Sequence, residues 1–215
     1  MGRQEQAHWY IDAPAFVRPP CIPRHNVAMA ELTADLFLSL DGFAAGVDVG
    51  AFFGDGGPEL DRWVRDAQTR PQLVVMGRVT YEVMTQISSS ATDEGSTRMN
   101  EVPKAVFSNT LSEPLAWRNT RLIRGDLLEG MRALKHDSPN PLRSIGSLSL
   151  VRSLLELGLV DRLRVTIFPL LLGDSGREPA FADYHRAGLE LTGTRVLDSR
   201  IVMLDYRPAG TADAS

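Results

Sequence analysis

LRSIGSLSLVRSLLELGLVDRLRVTIFPLLLG, residues Leu142 to Gly173, holds elements of two periodicities separated by glycines. Val151, Leu154 and Leu155 recur at helical spacing behind Leu148 and Leu150, with Arg152, Ser153 and Glu156 on the opposite side. Gly158 stands where a left-handed residue stops a helix. From Leu163 the period is two: Leu163, Val165 and Ile167 face one way, Arg164 and Thr166 the other. A short strand ahead of Gly146 completes a strand–turn–helix–strand unit. Its turn presents free backbone N–H groups at a helix start, which makes Gly146 and Ser147 a candidate phosphate seat. An ordinary helix capped by Ser147 has the same pattern, so the segment alone leaves both readings open.

Working outward, Leu32 to Leu40 alternates as a strand and ends in Ser39-Leu40-Asp41-Gly42. A loop with six glycines runs from Gly42 to Gly57, and Pro58 is placed to open a helix with Leu60, Trp63, Val64 and Ala67 on one face. Gln72 to Met76 is an apolar strand closed by Gly77-Arg78, and Thr80 to Met84 opens the next helix. The polar Ser88 to Ser96 segment reads as a loop, with a short helix from Thr97 to Glu101. Lys104 to Ser108 and Thr120 to Arg124 are strands. Asp126 with Glu129 resembles a capping box for a helix lined by Leu127, Leu128, Met131 and Leu134. After Gly173 the chain reads as loop to Phe181, then as two strands, Leu189 to Val196 and Arg200 to Arg207, paired as a hairpin at a sheet edge. Strands alternating with helices, closed by a strand pair, predict an α/β fold whose sheet is mostly parallel with an antiparallel edge.

The chain has 215 residues, 43% hydrophobic and 23% charged, which suits one domain, here residues 29–208, with a full core. Residues 1–28 carry His8-Trp9-Tyr10 and four prolines and read as an irregular arm; residues 209–215 read as a disordered tail. Met29 is a second candidate start, and the competing reading packs the arm's aromatic residues on the domain or on a partner subunit. A formal charge of −4 without a run of Lys and Arg argues against nucleic-acid or membrane-surface binding. The single cysteine, Cys21, excludes an internal disulfide and fits a reducing cytoplasm. The four histidines are scattered and none has metal-ligand spacing, so no metal site is expected. The nucleophile elbow, the P-loop and the Gly-x-Gly-x-x-Gly fingerprint are all missing.

Three turns share a form in which a strand runs into a glycine and a helix or loop begins: Ser39 to Gly42, Gly77 to Glu82, and Ile145 to Leu150. Ligands of open α/β sheets bind outside the carboxyl ends of the strands, so these turns are expected to converge on one crevice. Arg78 beside Thr80 at a helix start suits a phosphate monoester. The plainer reading is a glycine stop with Thr80 as N-cap and Arg78 solvated. Asp41 is the candidate acid or polarising group, against an Asx-turn role ahead of Gly42.

Taken in order, these motifs resemble the dihydrofolate-reductase-like superfamily. They are nearest to the reductase domain in the C-terminal half of the bifunctional riboflavin-biosynthesis deaminase/reductase, and to its stand-alone relatives. The resemblance covers about Ala30 to Arg207. Its carriers are Ser39 to Gly42, Val75 to Glu82, Lys104 to Leu111, Gly146 to Leu150, Gly158 to Asp161 and Pro169 to Gly173. The family implies a three-layer α/β/α fold and NADPH-dependent hydride transfer to a small heterocycle. It implies that Gly77, Arg78 and Thr80 hold the adenosine 2′-phosphate and pyrophosphate, that Ser108 lies beside the adenosine, and that Gly146, Ser147 and Leu148 wrap the pyrophosphate. Ser39 and the turn to Gly42 would flank the nicotinamide, with Asp41 assisting. Homodimerisation is common in the family. The deaminase half is missing here, and no motif singles out Arg62, Arg65 or Arg177 as the anchor of a substrate phosphate.

Overall fold

Alternating apolar strands and one-sided helices assemble into a three-layer α/β/α sandwich in the computed structural model, which describes residues 29–49, 51–182, 184 and 187–209. The expected arm of residues 1–28 and the last six residues of the expected tail lie outside the described residues. The strands are β1 (Leu32–Ser39), β2 (Phe43–Gly46), β3 (Leu73–Gly77), β4 (Lys104–Phe107), β5 (Thr120–Ile123), β6 (Leu142–Ile145), β7 (Arg162–Phe168), β8 (Gly176–Pro179), β9 (Leu189–Leu197) and β10 (Ile201–Pro208). The helices are α1 (Pro58–Thr69), α2 (Arg78–Ser88), α3 (Glu94–Glu101), α4 (Leu127–Asp137) and α5 (Leu148–Glu156).

Eight strands form one sheet in the order β5-β4-β3-β6-β1-β7-β10-β9. The six from β5 to β7 are parallel, and β10 runs antiparallel to both β7 and β9, as the sequence pattern predicts. One face carries Leu32, Ala34, Leu36, Val75, Leu163 and Val165 under Met131 and Leu134 of α4 and Leu150, Val151 and Leu154 of α5. On the other face, Val74, Met76 and Val106 pack with Tyr81 of α2 and Met99 of α3. Beside them Phe168, Ile201 and Met203 meet Leu60, Trp63 and Val64 of α1.

The end of α5 follows the local signal closely. Gly158 has φ +65°, its N–H donates to Leu155 O at 3.0 Å, and Leu159 N–H donates to Leu154 O at 2.9 Å, a Schellman closure. Asp126 caps α4 by accepting from Glu129 N–H at 2.9 Å.

Three expectations change. The helix expected from Thr97 begins at Glu94, because Asp93 accepts from Ser96 N–H at 2.9 Å and starts it a turn earlier. The segments expected as loops after Gly42 and Gly173 each hold a strand, and β2 pairs antiparallel with β8. That ribbon joins residues far apart in the chain and too short for periodicity to show. Between β2 and α1, Phe52 and Phe53 adopt φ of 52° and 55°. Left-handed backbone costs such residues about 1–2 kcal/mol each. Their rings offset it by packing 5.4 Å from Phe37 and 5.1 Å from Phe168.

Candidate functional site

Adjacent strands β3 and β6 send their chains to opposite faces of the sheet, β3 into α2 and β6 into α5. Such a switch point opens a crevice at the carboxyl ends of the strands. Here the crevice has a volume of ≈ 790 Å³ and also reaches the ends of β4 and β5 and the tip of β8. The starts of α2, α4 and α5 all meet it; α4 is capped by Asp126, while α2 and α5 have no side-chain cap, so two sets of uncapped helix N–H groups border one space.

Ser147 joins the two sides. It occupies the N-cap position of α5 with φ 61° and ψ 61°, and its hydroxyl makes no cap. Instead Ser147 Oγ accepts from Gly77 N–H at 2.8 Å and donates to Thr80 Oγ1 at 2.6 Å. The preceding Gly146 is also left-handed, φ +65°, and its N–H donates to Asp35 O at 3.1 Å. The reading of Ser147 as an ordinary cap is thereby corrected. So is that of Thr80 as N-cap, since α2 starts at Arg78 with Gly77 in the cap position. Thr80 retains a hydroxyl hydrogen with no acceptor among the described residues.

Gly77, Arg78, Thr80, Ser108, Ser147 and Leu148 all line the crevice. Arg78 is half-exposed and held by Glu82 one turn along α2, with Nη1 2.9 Å from Oε2. Ser108 Oγ accepts from Thr110 and Leu111 N–H, both at 3.1 Å, and so shapes the turn after β4. Asn109 ties that turn to the next, its Oδ1 accepting from Gly125 N–H at 2.7 Å.

Ser39, Asp41 and Gly146 are not in the lining. Ser39 is buried at the end of β1, and its Oγ donates to Asp41 at 2.6 Å and accepts from Phe43 N–H at 3.0 Å. Ser39 thus makes the turn that Asp41 was an alternative candidate for. Asp41 reaches across to the loop after β7, accepting from Leu172 N–H at 3.0 Å and Gly173 N–H at 2.8 Å. The Ser39 hydroxyl and then the Gly173 amide hold its carboxyl below the usual carboxylate range. Arg62, Arg65 and Arg177 are exposed and outside the crevice wall.

Sequence reading passed over Ser149, Arg152 and Ser153, three residues on one face of α5 that line the crevice. Helical spacing shows only that this face avoids the core. What it faces is set by the turn after β3 and by the tip of β8, both remote in sequence. Among groups of His, Cys, Asp and Glu in the described residues, none has a geometry for holding a metal ion.

Sheet order and crevice define a three-layer α/β protein of the dihydrofolate-reductase-like kind. More narrowly, the chain belongs to the RibD C-terminal domain family, whose profile matches residues 30–203. It is 26% identical over 188 residues to the uncharacterized protein YyaP of Bacillus subtilis (strain 168), covering 85% of this chain and 97% of that one. A putative riboflavin biosynthesis protein from Shewanella sp. PV-4 has the same fold, with a TM-score of 0.69 and 22% identity over 83% of this chain and 99% of that one. The riboflavin biosynthesis reductase Rib7 of Saccharomyces cerevisiae also shares it, at a TM-score of 0.55 and 16% identity over 86% and 92% of the two chains.

Proposed function

We propose that the protein is an NADPH-dependent reductase of the riboflavin-biosynthesis type, acting on a small heterocycle of the 5-amino-6-(5-phosphoribosylamino)uracil kind. The observation that carries this reading is the Ser147 bridge, which clamps the starts of α2 and α5 together at the switch point of the sheet. The crevice fits a dinucleotide. Its ≈ 790 Å³ falls within the usual cofactor range of about 300–1,000 Å³. Helix starts and hydroxyls suit a pyrophosphate.

The cofactor supplies the hydride when bound. The chain has the positioning tasks. In this reading Gly77, Thr80, Ser147 and Leu148 orient the pyrophosphate, with Gly146 shaping the turn behind them, and Arg78 and Ser108 hold the adenosine end. The buried end of β1 at Ser39 and the turn to Gly42 flank the nicotinamide and the substrate. Asp41 stands behind that turn as a fixed anion that holds the loop after β7, and the hydrogen bonds that keep it ionised leave it no proton to give near neutral pH. A cytoplasmic location is part of the proposal, since a reductase drawing on NADPH works where that cofactor is kept reduced. A homodimer through β9 is part of the proposal, supported by the exposure of Leu189, Leu191 and Val196 on that edge strand.

Steady-state NADPH oxidation with the aminopyrimidine ribose phosphate and, separately, dihydrofolate tests the activity. Turnover of the first supports the proposal. Turnover of dihydrofolate alone moves the protein to pterin reduction, and tight NADPH binding without oxidation of any pterin, flavin or pyrimidine makes it a binding protein.

A further inference from the structure

The crevice wall carries three charged side chains, Arg78, Arg152 and Glu178, so Glu178 is its one acid. Glu178 belongs to β8 and is exposed, and its carboxylate has no hydrogen-bond donor or ion-pair partner among the described residues. Its backbone has φ +57°, a left-handed value that is uphill for a residue with a Cβ. Pro179 follows it, and a residue ahead of proline ordinarily stays extended. A strained residue that borders a crevice points to a role there. The ribbon fixes its place: Phe43 of β2 lies opposite Pro179, and Ala180 N–H donates to Gly42 O at 2.9 Å. Glu178 is thereby tied to the turn that ends β1. In the sheet β1 stands three strands from β4 and four from β5, about 14–19 Å. A dinucleotide whose adenosine lies at the ends of β4 and β5 therefore brings its nicotinamide end towards Glu178.

From this we infer that Glu178 is a specificity-determining residue that distinguishes the oxidised from the reduced cofactor by charge. The inference rests on the dinucleotide reading and deepens it. A nicotinamide ring is uncharged when reduced and carries one positive charge when oxidised, while the rest of the molecule is the same in both forms. A carboxylate beside the ring attracts the cationic form alone, and whatever repulsion it exerts on the phosphates is shared by both forms. The helix starts and Arg78 face groups common to the two forms and cannot tell them apart. An acid on a wall suited to phosphates weakens every purely anionic ligand. A cationic group at the far end of the same ligand gives that acid a partner.

The test is calorimetric binding of NADP+, NADPH and 2′,5′-ADP, which lacks the ring, to the wild-type protein, Glu178→Gln and Glu178→Asp, with melting temperatures as the folding control. Glu178→Gln should weaken NADP+ relative to NADPH by about fivefold, the worth of a unit charge pair about 4 Å apart in water, and should not weaken 2′,5′-ADP. Glu178→Asp keeps the charge and should keep most of the discrimination. Raising the salt to about 1 M should lower the preference of the wild-type protein for NADP+ over NADPH towards that of Glu178→Gln. An unchanged ratio of NADP+ to NADPH affinity in Glu178→Gln, or the same loss in Glu178→Asp as in Glu178→Gln, overturns the role of the Glu178 charge while the crevice reading stands. Failure of the wild-type protein to bind any of the three ligands overturns the crevice reading as well.

Discussion

Single side chains in this protein act by where they reach across the chain. Ser147 is one hydroxyl holding two turns, so Ser147→Ala should leave Gly77 N–H and Thr80 without their partner and loosen the clamp. NADPH binding followed by fluorescence should weaken by about tenfold, as expected for one or two hydrogen bonds to oriented groups. Unchanged affinity would show that the clamp does not shape the cofactor seat. Arg78→Ala should weaken NADPH more than NADH, and equal loss would remove Arg78 from the 2′-phosphate. Lys104 shows another residue-scale effect. It is buried, donates to the carbonyls of Met99 at 2.8 Å and Val102 at 2.7 Å, and lies 4.6 Å from the Trp117 ring centroid. Burial pushes it down to about 8 from 10.5. Between those values the unfolded chain holds the extra proton, so stability contributed by Lys104 should rise with pH across that window. Comparing denaturant unfolding of wild type and Lys104→Met from pH 7.5 to 10.5 isolates this slope, and parallel curves would disprove it.

At the scale of elements, local signals fix most boundaries, and the start of α1 depends on a borrowed cap. Pro58 starts α1 as its position predicts, yet Gly57 in the cap position has no side chain. The cap comes from Asp198 in the β9–β10 turn, which accepts from Glu59 N–H at 2.9 Å and Leu60 N–H at 3.0 Å. Asp198 and Ser199 have φ of 50° and 57°, the paired left-handed residues of a tight hairpin. Asp198→Ala should therefore destabilise the fold by about 1–2 kcal/mol in urea denaturation, the usual loss for a cap. Gly57 has its own reason: a Cβ there would meet the Asp198 carboxylate at 2.4 Å. The turn signal of Asp198 is legible in the sequence. Its second role, 139 residues from Glu59, is not.

Across the whole molecule, the α1 face of the sheet buries charge at the seam between two apolar clusters. Asp35, 1% exposed, pairs with Arg143, and Arg164 lies 3.5 Å from Asp35 and 2.8 Å from Asp205. Both guanidiniums lie beside Trp63, at 5.4 and 5.3 Å from its ring centroid. Asp35→Ala should cost about 3–5 kcal/mol, because it strands buried cations. The pair of changes Asp35→Leu and Arg143→Met should cost much less, and equal losses would show that packing rather than charge sets the effect. Sedimentation velocity tests the proposed dimer, with Leu191→Glu expected to give a monomer.

The sequence alone determined the order of the helices and of the strands of the main sheet, the parallel run with its antiparallel edge, and the strand–turn–helix motifs that border the crevice. Each rests on periodicity or on a glycine within a few residues, which is information a short window contains. Tertiary structure decided which strands adjoin, and hence that β3 and β6 part to opposite faces. It also decided that β2 and β8 pair, that Ser147 clamps rather than caps, and that Asp41 holds a loop. The polar face of α5, legible as non-core, became a wall of the site only when β3 and β8 were brought against it. Contacts between residues tens to more than a hundred positions apart leave no periodic trace in a chain, so only the fold assigns them.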